Sequence, residues 1–99
     1  MFAGADLAGV AFDEAFMRAA KFDGASMPDA RLMGADLNDA SLVGADLTEA
    51  DAQAANLRGA DLSRSNLAGA NLRRANLYET KTDGATFRET IMPDGTKYP

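Results

Sequence analysis

Ninety-nine residues make one small domain, and a formal charge of −5 argues against direct contact with nucleic acid, whose phosphates are held by Lys and Arg. With no Cys and no His, the chain has no thiol nucleophile, no disulfide, no soft-ligand zinc site and no imidazole for acid–base chemistry. A domain of this size buries only about 60 to 65% of its unfolded surface, so an architecture that fills its interior efficiently is expected.

The amino terminus, Met1-Phe2-Ala3-Gly4-Ala5-Asp6, carries no basic leader region, and no eighteen apolar residues follow one another anywhere. A cytoplasmic protein without membrane contact is the expectation. From residue 2 onward the sequence falls into units of five. Their centres are Phe2, Leu7, Phe12, Met17, Phe22, Met27, Leu32, Leu37, Leu42, Leu47, Ala52, Leu57, Leu62, Leu67, Leu72, Leu77, Thr82, Phe87 and Met92. Two residues before each centre stands a small residue, Ala from Ala15 through Ala60 and then Ser65, Ala70, Ala75, Thr80, Ala85 and Thr90. No unit is longer or shorter than the rest.

Alanine favours helix, but this period does not permit one. At about 100° per residue, centres five apart would spiral around the cylinder and share no face. In extended chain the small residue and the centre point to one side and the polar residue between them to the other. Three positions separate a centre from the next small residue, so the chain must turn there. Each unit is a very short strand and a corner. Gly4, Gly9, Gly24, Gly34, Gly44, Gly59, Gly69 and Gly84 all take the last position of their units, as corners would favour. Asp, Glu, Ala and Arg fill that position elsewhere, and the expectation is a turn that makes no strict demand for glycine.

Charge divides the chain. Residues 1–55 hold three basic and ten acidic residues, 3 − 10 = −7, and residues 56–99 hold seven basic and five acidic, 7 − 5 = +2. Ala52 shortens one centre, where neighbours must lean in or leave a small void, and no ligand is expected there. Thr82, within Thr80-Lys81-Thr82-Asp83-Gly84, marks a weakening of the pattern. Beyond it, Pro93-Asp94-Gly95 is a strong turn signal and predicts a folded-back cap. The repeat is taken to span residues 1–94 and the tail 95–99.

Units such as Ala35-Asp36-Leu37-Asn38-Asp39 and Ala55-Asn56-Leu57-Arg58-Gly59 resemble the pentapeptide-repeat family over nearly the whole chain. The resemblance implies an all-β fold, a right-handed four-sided parallel β-solenoid with twenty residues per coil and about 4.75 coils. The segment Met92 to Thr96 is similar to the tails of bacterial and cyanobacterial members, which implies a natural end. Centres twenty apart then form four ladders: Phe2-Phe22-Leu42-Leu62-Thr82, Leu7-Met27-Leu47-Leu67-Phe87, Phe12-Leu32-Ala52-Leu72-Met92 and Met17-Leu37-Leu57-Leu77. At about 4.8 Å per coil the rod is on the order of 20 Å long. Phenylalanine gathers at the ladder ends, where it would plug the openings.

Function in a filled rod must lie outside it. Counting by twenty places Phe16, Arg18, Asn38, Arg58 and Tyr78 on one side, the richest mixed face and the candidate protein-binding surface. The stacked Asp and Asn residues before the centres come with the repeat, so neither a catalytic pair nor a metal site is expected, and no cofactor. Arg58, Arg64, Arg73 and Arg74 form a basic cluster beside Asp61 and Glu79. A non-enzymatic protein-interaction scaffold with a protein partner is the reading that fits. The resemblance also offers an acidic rod that imitates DNA and binds gyrase, as quinolone-resistance members do, although such members are longer and carry a helical dimerisation segment absent here. A structural or self-assembling module is a third reading, and the unpaired backbone of the first coil suggests an end-to-end homodimer.

Overall fold

The computed structural model describes residues 2–99. Single-residue parallel bridges join each outward residue to the one twenty positions on, from Asp6 with Ser26 to Asn71 with Ile91. The coils are therefore 2–21, 22–41, 42–61 and 62–81, with a partial coil from 82 to 91. They form a right-handed, four-sided β-solenoid, and the whole chain measures 32 × 24 × 20 Å, cap included. We number the sides one to four by the ladders that begin at Phe2, Leu7, Phe12 and Met17.

Accounting for the backbone amides of one unit explains why the coil closes. The N–H of Asp36 donates back to Ala15 O at 2.9 Å, and that of Leu37 donates forward to Asn56 O at 2.8 Å. The N–H of Asp39 donates forward to Arg58 O at 2.9 Å, and that of Ala40 closes the turn on Leu37 O at 2.9 Å. One amide per unit, here that of Asn38, has no backbone acceptor, and the Asp36 side chain takes it at 3.2 Å. The same bond recurs from Thr48 to Asp46 at 3.0 Å, Arg58 to Asn56 at 3.1 Å, Ser63 to Asp61 at 3.0 Å and Tyr78 to Asn76 at 2.9 Å. Where the outward residue is Arg31 or Ser41, an Asp one coil earlier substitutes: Asp13 accepts from Met33 at 3.2 Å and Asp23 from Val43 at 3.3 Å. The Asp and Asn columns are thus the side-chain half of the turn.

The corners do without a strict demand for glycine, as expected, but under backbone strain. All of them carry a positive φ at the last position of the unit, in ten non-glycine residues from Glu14 (59°) to Glu89 (53°) as well as in the eight glycines. With φ positive there and not at the preceding residue, these are type II turns, which favour glycine. A side chain in that conformation costs about 1 to 2 kcal/mol, yet the same residue's N–H is locked into the next coil, as with Asp39 on Arg58 O. The ladder bond offsets the strain. Each corner Cβ also points along the rod, so a bulky residue overlies the corner one coil on: an added Cβ at Gly59 would lie 2.2 Å from Asp39 Oδ1, and at Gly69 2.0 Å from Glu49 Oε2.

Inside, the alanine and leucine ladders of the middle coils are sealed, with Leu37, Leu42, Leu62 and Leu72 fully buried. Ala52 is buried too, and it lines neither of the two surface depressions described. At the amino-terminal end Phe2 stacks on Phe22 with ring centres 5.0 Å apart, and Phe12 tilts against both at 5.8 and 6.2 Å, the plug expected from the ladder ends. At the other end the chain folds back. Ile91 pairs antiparallel with Lys97, Tyr98 N donates to Thr90 O at 2.7 Å, and the Tyr98 ring meets Phe87 at 5.9 Å. Polar residues at small inward positions reach carbonyls: Ser65 Oγ bonds Leu62 O at 2.7 Å, Thr80 Oγ1 bonds Leu57 O at 2.7 Å and Thr90 Oγ1 bonds Leu67 O at 2.6 Å. No described helix is long and apolar enough to cross a membrane.

Candidate protein-binding face

Side four carries the five residues singled out in the sequence, because positions twenty apart stack and positions eighteen apart fall next to one another on successive coils. Its outward bridge column runs Phe16, Asp36, Asn56, Asn76. The corner column beside it runs Arg18, Asn38, Arg58, Tyr78.

Phe16 stands 93% exposed in the outward place beside the centre Met17, an unusual position for a phenylalanine. It also forms one wall of a depression of about 380 Å³ at the amino-terminal end, with Phe2, Phe12, Met17 and Arg18 among the remaining lining. Around the same end of the rod, on sides two, three and four, the outward amides of Asp6, Ala11 and Phe16 meet no backbone acceptor among the described residues. The apolar surface therefore continues from the face onto the end of the rod.

Arg18 reaches across to the next coil and binds Asp36 Oδ2 through Nε at 2.7 Å. This bond, supported by the opposite charge, raises the Arg18 pKa above its ordinary value. The same contact lowers the Asp36 carboxyl, opposed by partial burial and helped by the Asn38 N–H and by Asn56 Nδ2 at 3.4 Å. Asn38 is half-buried beside that cluster. Two coils away, the Arg58 guanidinium lies over the Tyr78 ring, 5.4 Å from its centre, and Tyr78 remains 62% exposed. The side thus has an aromatic at each end and an Arg–Asp pair between them.

Sequence reasoning did not find these pairings, although a signal existed. Separations of eighteen bring a corner residue of one coil beside the outward residue of the next, and three pairs use it: Arg18 with Asp36, Arg31 with Asp13, and Ser41 with Asp23. The basic residues Arg64, Arg73 and Arg74 make no ion pair among the described residues. No group of carboxylates among the described residues is arranged to hold a metal ion.

The pentapeptide-repeats family profile matches eight copies, over residues 2–39, 30–67, 40–77 and 55–92. Among solved structures, the chain is similar to a pentapeptide repeat protein, Rfr23, from the cyanobacterium Cyanothece 51142, with 32% identity and a TM-score of 0.84 over 91% of this chain. It spans 59% of that protein's length. A pentapeptide repeat protein of the Arabidopsis thaliana thylakoid lumen is 28% identical over 98% of this chain and 71% of its own, with a TM-score of 0.52. No curated protein matches the sequence. The repeat register, the four-sided coil and the profile agree that the chain belongs to the pentapeptide-repeat family.

Proposed function

We propose that the chain is a non-enzymatic scaffold that binds a protein partner through side four, with Phe16, Arg18, Asn38, Arg58 and Tyr78 as the contact set. The observation that carries this reading is Phe16, almost wholly exposed and continuous with an apolar depression of about 380 Å³. Exposed aromatic and Arg side chains are the residues that dominate binding energy at protein interfaces. The chain has no His or Cys, and among the described residues the interior of the rod is filled by apolar side chains, which favours binding over acid–base or nucleophilic work. The test is affinity capture from source-cell lysate with the wild type and with a variant carrying Phe16→Ser, Arg18→Ala, Arg58→Ala and Tyr78→Ala. A partner captured by the wild type and lost in the folded variant supports the scaffold reading and its face. A partner retained by the variant removes the face.

The acidic first half favours a second reading, a rod that imitates duplex DNA toward gyrase. Coils 22–41 and 42–61 each hold four acidic residues against one basic, a net −3 apiece. Inhibition of gyrase supercoiling by the purified protein would support mimicry, and supercoiling unaffected by excess protein would end it.

A further inference from the structure

Side three carries a pattern that no other side shows. Over its four full coils the three outward columns, read from the amino-terminal end, run Ala11, Arg31, Asp51, Asn71, then Asp13, Met33, Gln53, Arg73, then Glu14, Gly34, Ala54, Arg74, and Ile91, Pro93 and Asp94 continue them into the cap. The first coil is acidic along this ridge, the fourth is basic, and the two middle coils present small or uncharged groups at the corner. Met33 is 42% exposed at the centre.

We propose that this ridge is a self-association surface on which two copies of the chain pack side by side and antiparallel. A two-fold axis lying in the interface, across the rods and midway between the second and third coils, reverses each column onto itself. Glu14 then faces the partner's Arg74, Asp13 the partner's Arg73, and Arg31 the partner's Asp51, while Met33 meets the partner's Gln53. Gly34 and Ala54 add little bulk of their own at the centre, where the Glu14 side chain leans over Gly34. Every charged pairing is attractive and occurs twice, as an isologous contact requires.

The charges needed are available. Asp13 is engaged by Arg31 at 2.8 Å, but Glu14, Arg73 and Arg74 have no ion-pair partner among the described residues. All three are exposed. A side of this rod, whose extents are 32 × 24 × 20 Å, offers about 600 Å² per copy, which places the contact at the low end of specific interfaces. A dimer with a Kd on the order of 10 to 100 μM, weakened by salt, is the expected strength.

Sedimentation velocity across a concentration series, at about 20 mM and about 300 mM salt, tests the proposal. The wild type is expected to dimerise at low salt and to dissociate at high salt. E14R and R74E, each folded by circular dichroism, are each expected to dimerise roughly tenfold more weakly or worse, because one substitution turns two attractions into two repulsions. Mixing E14R with R74E restores complementary charges at both symmetry-related pairs, and the mixture is expected to regain wild-type association. A wild type that stays monomeric at low salt overturns the proposal. So does a dimer that persists in both single variants, which would place the contact at the rod ends instead, or a mixture that fails to recover.

Discussion

The two ends of the rod solve the same problem with different material. At the amino-terminal end three phenylalanine rings fill the opening, and the outward amides of Asp6, Ala11 and Phe16 keep no backbone acceptor among the described residues. At the carboxy-terminal end the main chain turns on Pro93-Asp94-Gly95 and pairs with itself, and a single ring contact between Tyr98 and Phe87 covers the ladder. One end is closed by side-chain volume and the other by hydrogen bonding. In a solenoid each coil touches only its neighbours, so the two devices should fail separately and under different stresses.

The largest effect is expected at the plug. Phe22 is fully buried and stacks on Phe2, so Phe22→Ala should cost about 3 to 5 kcal/mol in urea denaturation. A loss below about 1 kcal/mol, within the range of surface substitutions, would mean that the rings merely decorate the end. At the cap, Thr90 is fully buried and its hydroxyl donates to Leu67 O, which also accepts from Ala70 N–H, so Thr90→Val, which keeps the shape and removes one of the two bonds, should cost about 0.5 to 1.5 kcal/mol. Hydrogen exchange should speed up at Leu72 and Tyr98 while amides of the second coil hold their protection. Equal acceleration in both coils would show that the ends are not independent.

The smallest effect concerns acid. Asp94 has a pKa lowered from the usual carboxylate value, chiefly by the Thr96 hydroxyl at 2.6 Å and then by the Thr96 N–H at 3.0 Å. A carboxyl depressed by folding adds stability that is fully present above its unfolded pKa, about 3.9. That contribution is lost as pH falls through the depressed value. Exchange at Thr96 should therefore rise between neutral pH and strong acid relative to the intrinsic rate, and Asp94→Asn should flatten that rise. An unchanged profile in the variant would separate the cap's closure from Asp94.

Much of this architecture was legible in the sequence because period and packing are the same statement in a solenoid. The position of every centre follows from counting by five, and the four ladders and the phenylalanine plug follow once the family resemblance supplies the twenty-residue coil. The corner conformation was not legible. Glu14, Ala19, Arg64 and Arg74 argue by composition against a left-handed backbone, and only the ladder bond from each corner amide explains why they adopt it. The candidate face was legible as a column but not as a set of contacts. Arg58 over Tyr78 follows the twenty-residue stack, whereas Arg18 on Asp36 needs the eighteen-residue offset between a corner and the next coil's outward residue.

The bridge spacing of twenty fixes how such a chain can change length. Excising or inserting a single five-residue unit rotates everything downstream by a quarter turn, which carries Tyr78 away from Arg58 and sets Arg74 on a different side from Glu14. Four units together restore every column. Growth and shrinkage by whole coils preserve an outward surface, whereas smaller steps preserve the core and rewrite the outside. Indels in a protein of this construction thus act as a dial with four settings, each keeping the fold and exchanging the face.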